Sequence, residues 1–325
     1  MTVPPALAAA VARAAGAEVT GGSRASGGSI NEAWAFELAG GGRAFVKTRA
    51  DAAPGEYATE AAGLRWLADA DAVALPGVLA VGDGDGPRFL ALEWIDAGRL
   101  DLAGEEALGR GLAALHAADA PDFGAPPPGA PTPAPPPVAP DAGARPEGDA
   151  APDASAAAAP RAPLRIGELS LPNDPAPDWP SFYARRRLEP LVALCLERAT
   201  LSASGARAVE RVCERIDDLA GPAEPPARLH GDLWGGNVMA GVDRRARLID
   251  PAAYGGHREV DLAMLRLFGA PSERVFAAYD EAAPLADGHR ERVELWQLFP
   301  LLVHAALFGG SYGASVERAA VRYVT

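Results

Sequence analysis

The first hundred residues alternate short apolar runs with glycine-rich turns. Apolar and polar positions alternate through INEAWAFEL and RAFVKT, and a GGG turn separates the two runs. This pattern predicts antiparallel strands joined by hairpins, with two further strands at VLAVGDG and RFLALEWID. Residues 55–70 instead carry apolar side chains at helical spacing, and residues 3–16 also fit a helix. The predicted N-terminal part is a small antiparallel sheet with one embedded helix.

Helical periodicity predominates in the rest of the chain. The predicted helices are 104–118, 204–220, the later part of 164–199 and the apolar run 284–310. A chain of 325 residues is long enough for two lobes with separate cores. The pattern therefore predicts an α+β fold with a sheet-bearing lobe at 1–94 and a mainly helical lobe at 95–325.

Composition changes abruptly between residues 124 and 163. This segment is dense in Pro and Ala and contains almost no large apolar side chain. Such a segment cannot bury enough surface to offset the entropy lost on ordering. We therefore predict a disordered, partly polyproline-like insertion at 124–163; a ligand for proline-binding modules is the alternative.

Charge and cysteine content limit the classes of function. The net charge of −13 disfavours a general affinity for nucleic acid or for anionic membranes, because both are polyanions. No apolar run is long enough to cross a bilayer without charges or helix breakers, and Arg13 and Glu18 interrupt the Ala-rich start. Cys195 and Cys213 lack metal-ligand spacing. We expect a monomeric cytoplasmic protein with reduced cysteines.

The basic residues are almost all arginine. Lys and Arg total 30, yet Lys47 is the single lysine. A coding bias toward Arg explains this composition in general. It also draws attention to Lys47, because some chemistry needs a compact ammonium that a guanidinium cannot replace.

The stretch LHGDLWGGNV, residues 229–238, carries the strongest chemical signal. Asp232 is followed five positions later by Asn237, and a strand-like ARLID then ends at Asp250. A carboxylate, an amide oxygen and a second carboxylate in this order form a working set for phosphoryl transfer. Asp232 would accept the proton of an attacking hydroxyl, and Asn237 and Asp250 offer hard oxygen ligands for Mg²⁺. The alternative is a turn whose polar side chains bond their own backbone.

Lys47 and Glu60 form a second candidate pair upstream. Lys47 ends the strand RAFVK, where an ammonium would reach the phosphates of a nucleotide. Glu60 lies on the following predicted helix, where it would hold the lysine in position. The alternative is a solvated surface Lys and a solvated helix Glu.

Two further segments are weaker candidates for nucleotide binding. Gly28 and Ser29 lie in a turn, GGSIN, whose backbone N–H groups would approach a phosphate, although a plain hairpin turn explains the glycines nearly as well. Leu92, Glu93 and Trp94 end the predicted strand FLALEW. Backbone groups there would bind adenine at a hinge between the lobes, whereas an ordinary amphipathic strand end is the alternative.

Taken together, these segments resemble the fructosamine kinase (ketosamine-3-kinase) family. The resemblance covers most of the chain outside 124–163. It is carried by GGSINEAW, RAFVK, FLALEW, DWPSFYARRRLEP, RLHGDLWGGNV, LIDPAAYGGHREVDLAMLRLFG and LWQLFPLLVHAALFGG. It implies a two-lobed protein-kinase-like fold and an enzyme that uses ATP and Mg²⁺ to phosphorylate the 3-hydroxyl of a ketosamine such as a fructosamine or ribulosamine adduct on lysine. The phosphorylated adduct then breaks down, which makes the activity a deglycating repair.

The resemblance also assigns roles to individual residues. It implies that Asp232 is the catalytic base, that Asn237 and Asp250 bind magnesium, and that Lys47 anchors phosphate with Glu60 as its partner. It also implies that Leu92, Glu93 and Trp94 form the adenine hinge. Gly28 and Ser29 would form the phosphate-covering turn. Trp234 would be an apolar platform for the sugar, with a core aromatic as the alternative. His304 is either a substrate contact or a core histidine.

The same resemblance leaves other readings open. The kinase D-F-G appears here as Asp250-Pro251-Ala252, so a switch through a Phe flip is not expected. His257, Arg258, Glu259 and Asp261 are expected to brace the catalytic loop, Arg258 and Asp261 through ion-paired hydrogen bonds. One rival hypothesis keeps the fold and changes the acceptor to an aminoglycoside, a choline-like alcohol or another metabolite. Another is a non-catalytic nucleotide-binding module.

Overall fold

The computed structural model describes residues 3–25, 31–132 and 161–324. The α-helices are α1 (Pro5–Ala15), α2 (Glu56–Ala68), α3 (Leu102–Ala117), α4 (Trp179–Tyr183), α5 (Glu189–Glu197), α6 (Ala203–Glu214), α7 (Ile216–Leu219), α8 (Glu259–Leu267), α9 (Glu273–Ala282), α10 (His289–Phe308) and α11 (Tyr312–Val321). The strands are β1 (Val19–Arg24), β2 (Glu32–Leu38), β3 (Arg43–Thr48), β4 (Val78–Gly82), β5 (Phe89–Glu93), β6 (Leu164–Ile166), β7 (Leu169–Leu171), β8 (Ala227–Leu229), β9 (Val238–Ala240), β10 (Ala246–Leu248) and β11 (Tyr254–Gly256).

The N-terminal part is an antiparallel sheet with the strand order β1-β2-β3-β5-β4. Successive side chains of a strand point to opposite faces. Ala44 and Val46 accordingly pack on the face that α1 covers, with Leu7 and Val11 of that helix. Phe45 packs on the opposite face, which α2 covers with Tyr57 and other apolar residues. Lys47 shares the parity of Phe45 and therefore points toward α2.

The rest of the described chain is mainly helical, with short two-stranded pairings. Strand β8 pairs with β11, and β9 pairs with β10, both antiparallel. One core cluster is built on α10 and the helices that surround it, and a second lies between α3, α8 and α9. Leu229 and Leu233 belong to the first and second clusters respectively, so the polar stretch that the sequence singles out is anchored in both cores.

At Pro190 and Pro300, a side chain bonds the carbonyl that lies four residues before the proline. Pro190 lies at the start of α5, after a π-helical turn at Ala184–Leu188. Its nitrogen has no hydrogen for the carbonyl of Arg186, and the guanidinium of Arg187 donates to that carbonyl at 3.0 Å instead. Pro300 lies inside α10. There the Tyr183 hydroxyl contacts the carbonyl oxygens of Leu295 at 2.9 Å and Trp296 at 3.1 Å.

Some predicted boundaries change. The predicted helix 204–220 is interrupted at Arg215 (φ −112°, ψ 9°), which separates α6 from α7. Both ends of the predicted insertion are packed, which contradicts the prediction of disorder for residues 124–132 and 161–163. The Gly124 N–H donates to the carbonyl of Gly255 in β11 at 2.8 Å, and Arg161 forms a two-pronged ion pair with Asp122 at 2.6 and 2.8 Å. Residues 133–160 lie outside the described residues.

Within the described ranges, no helix combines the length and the apolar character that a membrane crossing requires.

Candidate functional site

Lys47 lies at the centre of a buried group of opposite charges. Its side chain is 5% exposed. The ammonium contacts the carboxylate of Glu60 on α2 and donates to Asp250 Oδ1 at 3.0 Å. Strand β3 and helix α2 therefore bring the predicted Lys–Glu pair together, and the segment after β10 adds the second carboxylate.

These carboxylates keep the lysine charged. Burial alone lowers the pKa of the Lys47 ammonium, but the negative charges of Glu60 and Asp250 outweigh burial and raise that pKa above its ordinary value. The Asp250 side chain is 44% exposed, so the charged group opens to solvent on one side. A fixed cation in a partly open site is suited to binding an anion such as a phosphate.

Asp232 and Asn237 meet in the turn between β8 and β9. A short 3₁₀ helix at Gly235–Asn237 turns the chain so that Asn237 Nδ2 donates to Asp232 Oδ2 at 3.1 Å and to the Asp232 carbonyl at 2.9 Å. Gly231 makes this turn possible, because it has φ +79° and a Cβ there would lie 1.9 Å from the carbonyl oxygen of Ala252. The amide donor fixes the direction of the Asp232 carboxylate.

The environment of Asp232 raises the pKa of its carboxyl to about 7, mainly through burial. The hydrogen bond from Asn237 opposes this shift, and the nearby charges of Asp250 and Asp261 add to it. A carboxyl with this pKa is suited to accepting a proton near neutral pH.

Backbone contacts join the two groups. The Ile249 N–H, next to Asp250, donates to the Asn237 carbonyl at 3.1 Å. His230 Nε2 lies 2.9 Å from the Ile249 carbonyl, and His230 Nδ1 accepts from the Asp232 N–H at 3.3 Å. Because the carbonyl can only accept, Nε2 carries the hydrogen in this arrangement. These contacts link the turn that carries Asp232 and Asn237 to the segment that carries Asp250, the partner of Lys47.

Asp261 holds the start of the turn between β8 and β9. Its carboxylate accepts from the backbone N–H of His230 at 2.7 Å and of Gly231 at 2.9 Å. His116 Nε2 lies 3.3 Å from the same carboxylate, and Tyr279 contacts the other ring nitrogen at 2.9 Å. The expected bracing role of Asp261 thus rests on backbone donors and a histidine rather than on an arginine.

The neighbouring residues of α8 form a separate buried network. Arg258 makes a two-pronged ion pair with Glu224, and Arg292 makes one with Glu259. Glu224, His257 and Glu259 have potential ligand atoms within 4.8 Å of one another. Both carboxylates are already bonded to guanidinium groups, so this cluster braces the fold and is a poor metal site.

Asn237 and Asp250 are the better candidates for Mg²⁺. Asn237 uses its amide nitrogen toward Asp232, which leaves Oδ1 as a potential ligand. Asp250 has φ +55° and bonds Lys47 through Oδ1, which leaves Oδ2. This pair of oxygens matches the hard ligands that magnesium prefers.

The predicted adenine hinge lies at the end of β5. Leu92 is buried beneath α2. The Glu93 N–H is already bonded to the Gly77 carbonyl at 2.8 Å. The Trp94 indole lies under the Arg43 guanidinium, 4.8 Å from the ring centre, and donates to Asp96 at 3.2 Å. The Trp94 ring therefore contacts surface charges. If Trp94 binds nucleotide, its backbone groups rather than its ring would do so.

Gly28 and Ser29 of the predicted phosphate-covering turn lie outside the described residues. Asn31, which follows the turn, accepts a hydrogen bond at 3.0 Å from the Tyr57 hydroxyl. Tyr57 belongs to α2, the helix that carries Glu60. The base of the turn is therefore tied to the helix that positions the lysine.

Trp234 and His304 belong to one row of aromatic rings. Trp234 is 39% exposed and packs edge-to-face with Phe268, with ring centres 6.4 Å apart. The rings of Phe268 and His304 are 4.4 Å apart, and His304 also contacts Phe308 at 5.5 Å and Tyr312 at 5.1 Å. The row begins at Trp234, two residues after Asp232 in the chain, and ends at the exposed ring of Phe308.

Sequence reasoning missed several of these residues. His116, Tyr279, Phe268, Phe308 and Tyr312 were not singled out. Their helices are separate in sequence, and nothing in the spacing of an aromatic residue shows that it meets a distant loop. The LFG sequences at Phe268 and Phe308 are the one available signal, because each places an aromatic residue just before a glycine that ends a helix.

Comparison with known proteins supports the kinase resemblance. The fructosamine kinase family model matches residues 5–127 and 162–325. A probable ketoamine kinase of Thermus thermophilus is 33% identical over 95% of this chain and 97% of its own length. A protein-ribulosamine 3-kinase of Oryza sativa subsp. indica, described as chloroplastic, is 30% identical over 92% of this chain and 77% of its own length.

Solved structures agree with the predicted fold. A Thermobifida fusca protein assigned as a fructosamine-3-kinase has a TM-score of 0.80 at 39% identity, covering 97% of this chain and 98% of its own. A macrolide 2′-phosphotransferase of Brachybacterium faecium shares the fold with a TM-score of 0.57 at 17% identity, covering 97% and 98%. The predicted α+β, protein-kinase-like fold is thus confirmed. Because the family model spans most of the chain on either side of the insertion, this protein belongs to the fructosamine kinase family of phosphotransferases.

Proposed function

We propose that this protein transfers the γ-phosphoryl group of ATP to the 3-hydroxyl of a ketosamine, with fructosyl- or ribulosyl-lysine adducts as acceptors. The observation that carries the proposal is the contact of Lys47 with Glu60 and Asp250, joined through Ile249 to the Asp232–Asn237 pair. The names of the Thermus and Oryza relatives support a ketoamine acceptor. Breakdown of the phosphorylated adduct would make the activity a deglycating repair of proteins.

Asp232 has the chemistry of the general base. As the hydroxyl oxygen of the acceptor forms its bond to the γ-phosphorus and the bond to ADP breaks, the hydroxyl proton passes to the Asp232 carboxylate. Asn237 donates to this carboxylate and sets its direction. In phosphoryl transfer, positioning and electrostatic stabilisation supply most of the catalysis.

Lys47 supplies a fixed positive charge for the phosphates of the nucleotide. Glu60 and Asp250 hold the ammonium in place. Asn237 and Asp250 would hold Mg²⁺, which would supply positive charge against that of the phosphates. Gly28 and Ser29 are proposed to cover the phosphates, and the backbone of Leu92, Glu93 and Trp94 to border adenine.

Trp234 and His304 are proposed to contact the sugar. The exposed face of the Trp234 indole suits the C–H face of a sugar. His304 Nδ1 lies 2.8 Å from the Pro300 carbonyl, an acceptor, so Nδ1 carries the hydrogen and Nε2 is left as an acceptor. Burial lowers the pKa of His304, which keeps the ring neutral near pH 7. A neutral acceptor is matched to a sugar hydroxyl or an amine N–H.

The proposal predicts phosphorylation of ribulosyl-lysine or fructosyl-lysine by purified protein with Mg-ATP. Phosphorus NMR identifies both the product and the oxygen that is modified. Replacing the base, Asp232→Asn, should lower kcat by at least about 100-fold. Asp217→Asn, an exposed change on α7, should leave the rate unchanged.

The same assay separates the rival functions. The acceptor is also tested with a panel of aminoglycosides, choline-like alcohols and other metabolites. If one of these compounds is phosphorylated and no ketosamine is, the ketosamine assignment is replaced by that acceptor. ATP binding measured by calorimetry, with no acceptor phosphorylated, would favour a non-catalytic module. An unchanged rate in Asp232→Asn would remove the proposed role of this residue.

A further inference from the structure

The row of rings beyond Trp234 and His304 has no part in the roles assigned so far. Phe268 is partly exposed and joins Trp234 to His304, while Phe308 is 55% exposed at the outer end of the row. A large aromatic side chain with this exposure is otherwise rare here: within the described residues, the exposed large hydrophobic residues include no aromatic ring other than Trp234 and Phe308. Two exposed rings joined by half-buried ones form a row that starts at Trp234, in the turn that carries Asp232.

The end of α10 gives this surface a second property. Phe308 is the last residue of a 20-residue helix, whose final turn contains no basic residue of its own. The C-terminal end of a helix carries partial negative charge. Arg198 donates to the Ala306 carbonyl at 2.8 Å, but in the described part of the chain no donor reaches the carbonyls of Leu307 and Phe308. The outer end of the aromatic row therefore combines ring faces with free carbonyl oxygens.

Both features favour a cation. Aromatic faces attract ammonium groups through their quadrupole, and the helix end adds partial negative charge. A ketosamine carries such a cation, because the nitrogen that joins the sugar to an alkyl chain is a secondary amine, protonated at neutral pH. In a lysine adduct the alkyl chain has four methylenes, which are suited to apolar ring surfaces.

We propose that Phe308, with Tyr312 and the free carbonyls at the end of α10, forms the subsite for the amine side of the acceptor. This proposal rests on the proposed ketosamine kinase function and extends it. The sugar would lie against Trp234 and His304, with its 3-hydroxyl toward Asp232. The protonated amine and its alkyl chain would then follow the rings outward to Phe308. Charge at the amine, rather than the sugar alone, would determine which acceptors are used.

Two matched acceptors test the subsite: a 1-deoxy-1-butylamino-fructose, which is charged, and a 1-O-butyl-fructose, which is neutral and of similar length. For the unaltered protein, kcat/KM should be about tenfold higher with the amine. Phe308→Leu keeps an apolar side chain and removes the ring. This variant should lose most of the preference, because kcat/KM falls for the amine acceptor and not for the neutral one. Phe308→Trp, which keeps a ring face, should retain the preference.

Leu196→Ala serves as the control, because Leu196 is an apolar residue on α5 that is 43% exposed. This variant should change kcat/KM for neither acceptor. Equal kcat/KM for the two acceptors, or an equal loss for both in Phe308→Leu, would overturn the subsite while leaving the ketosamine kinase function intact. If neither acceptor, nor any lysine adduct, is phosphorylated, the proposed function itself fails.

Discussion

At the scale of single residues, the site holds charges in places that favour chemistry over stability. Asp232 is half-buried with one amide donor and lies near the carboxylates of Asp250 and Asp261. Its pKa of about 7 means that the folded protein resists ionising this group. Such a cost is expected where a carboxylate must take up a proton, and it would be avoidable in a purely structural turn.

Asp232→Asn should therefore stabilise the metal-free protein at alkaline pH. The pKa is raised in the folded state, so the ionised carboxylate weakens the fold progressively as the pH rises from about 4 to about 7, and fully above that range. At pH 8 the variant should gain about 2 kcal/mol, allowing for the partial exposure of the group. Urea unfolding in EDTA at pH 8 and pH 4.5 measures this difference. If the free energy of unfolding of the variant rises equally at both pH values, ionisation of Asp232 is not the cause of the stabilisation.

At the scale of elements, the helical core depends on side chains that replace backbone hydrogen bonds. Pro190 and Pro300 each leave a carbonyl four residues earlier without its usual partner. The Arg187 guanidinium and the Tyr183 hydroxyl bond these carbonyls. Arg187 is fully buried, and the rings of Phe182 and Tyr254 lie 4.6 and 4.4 Å from its guanidinium carbon. In this arrangement, side chains bond the carbonyls that precede both prolines.

Tyr183→Phe should destabilise the protein by about 1–3 kcal/mol, because it leaves the Trp296 carbonyl buried without a donor. The hydroxyl also accepts from the Phe299 N–H at 3.1 Å, so this contact is lost as well. The midpoint of urea unfolding, followed by Trp fluorescence, reports the loss.

Pro300→Ala gives the matched test of this explanation. An alanine restores the N–H that α10 lacks, so Tyr183→Phe should cost clearly less in the Pro300→Ala background. Equal costs in both backgrounds would mean that the hydroxyl stabilises the core in some other way.

At the scale of the whole molecule, the segment that ends at Asp250 joins the sheet to the helical part. The Leu248 N–H in β10 donates to the Ala74 carbonyl at 3.0 Å, and Asp250 accepts from Lys47 in β3. Helix α2 approaches the same segment closely, because a Cβ on Gly63 would lie 3.3 Å from the Ala253 side chain. The single lysine of the chain is therefore enclosed where the two parts meet.

This enclosure predicts an unusual resistance to amine-reactive reagents. Lys47 is buried, ion-paired and held in its charged form, and acylation requires a neutral, accessible amine. Treating the native protein with an acylating reagent at pH 8 should leave Lys47 unmodified in a peptide map and the ATP-dependent activity unchanged. The same treatment in concentrated urea, which unfolds the chain, should modify Lys47. Rapid labelling in the native state would show that the Lys47 ammonium is itself accessible and would contradict this prediction.

The sequence alone determined much of this architecture. Strand alternation in β2 and β3 and helical spacing in α2 are local patterns, and they predict the sheet with its embedded helix because each element must bury one apolar face. The order of Asp232, Asn237 and Asp250 also follows from the sequence, since all three lie on one short run of strand and turn. Composition identified the insertion but misjudged its ends, where backbone pairing with β11 holds Gly124.

Only the tertiary structure decided which distant side chains meet. Lys47 and Asp250 are 203 positions apart, and His116 and Asp261 are 145 apart. No local pattern encodes such contacts, because they depend on how helices pack after their own hydrogen bonds are made. The pKa of Asp232 and the aromatic row that ends at Phe308 have the same origin. Burial and neighbouring groups set the chemistry of a side chain, and both arise only when separate parts of the chain come together.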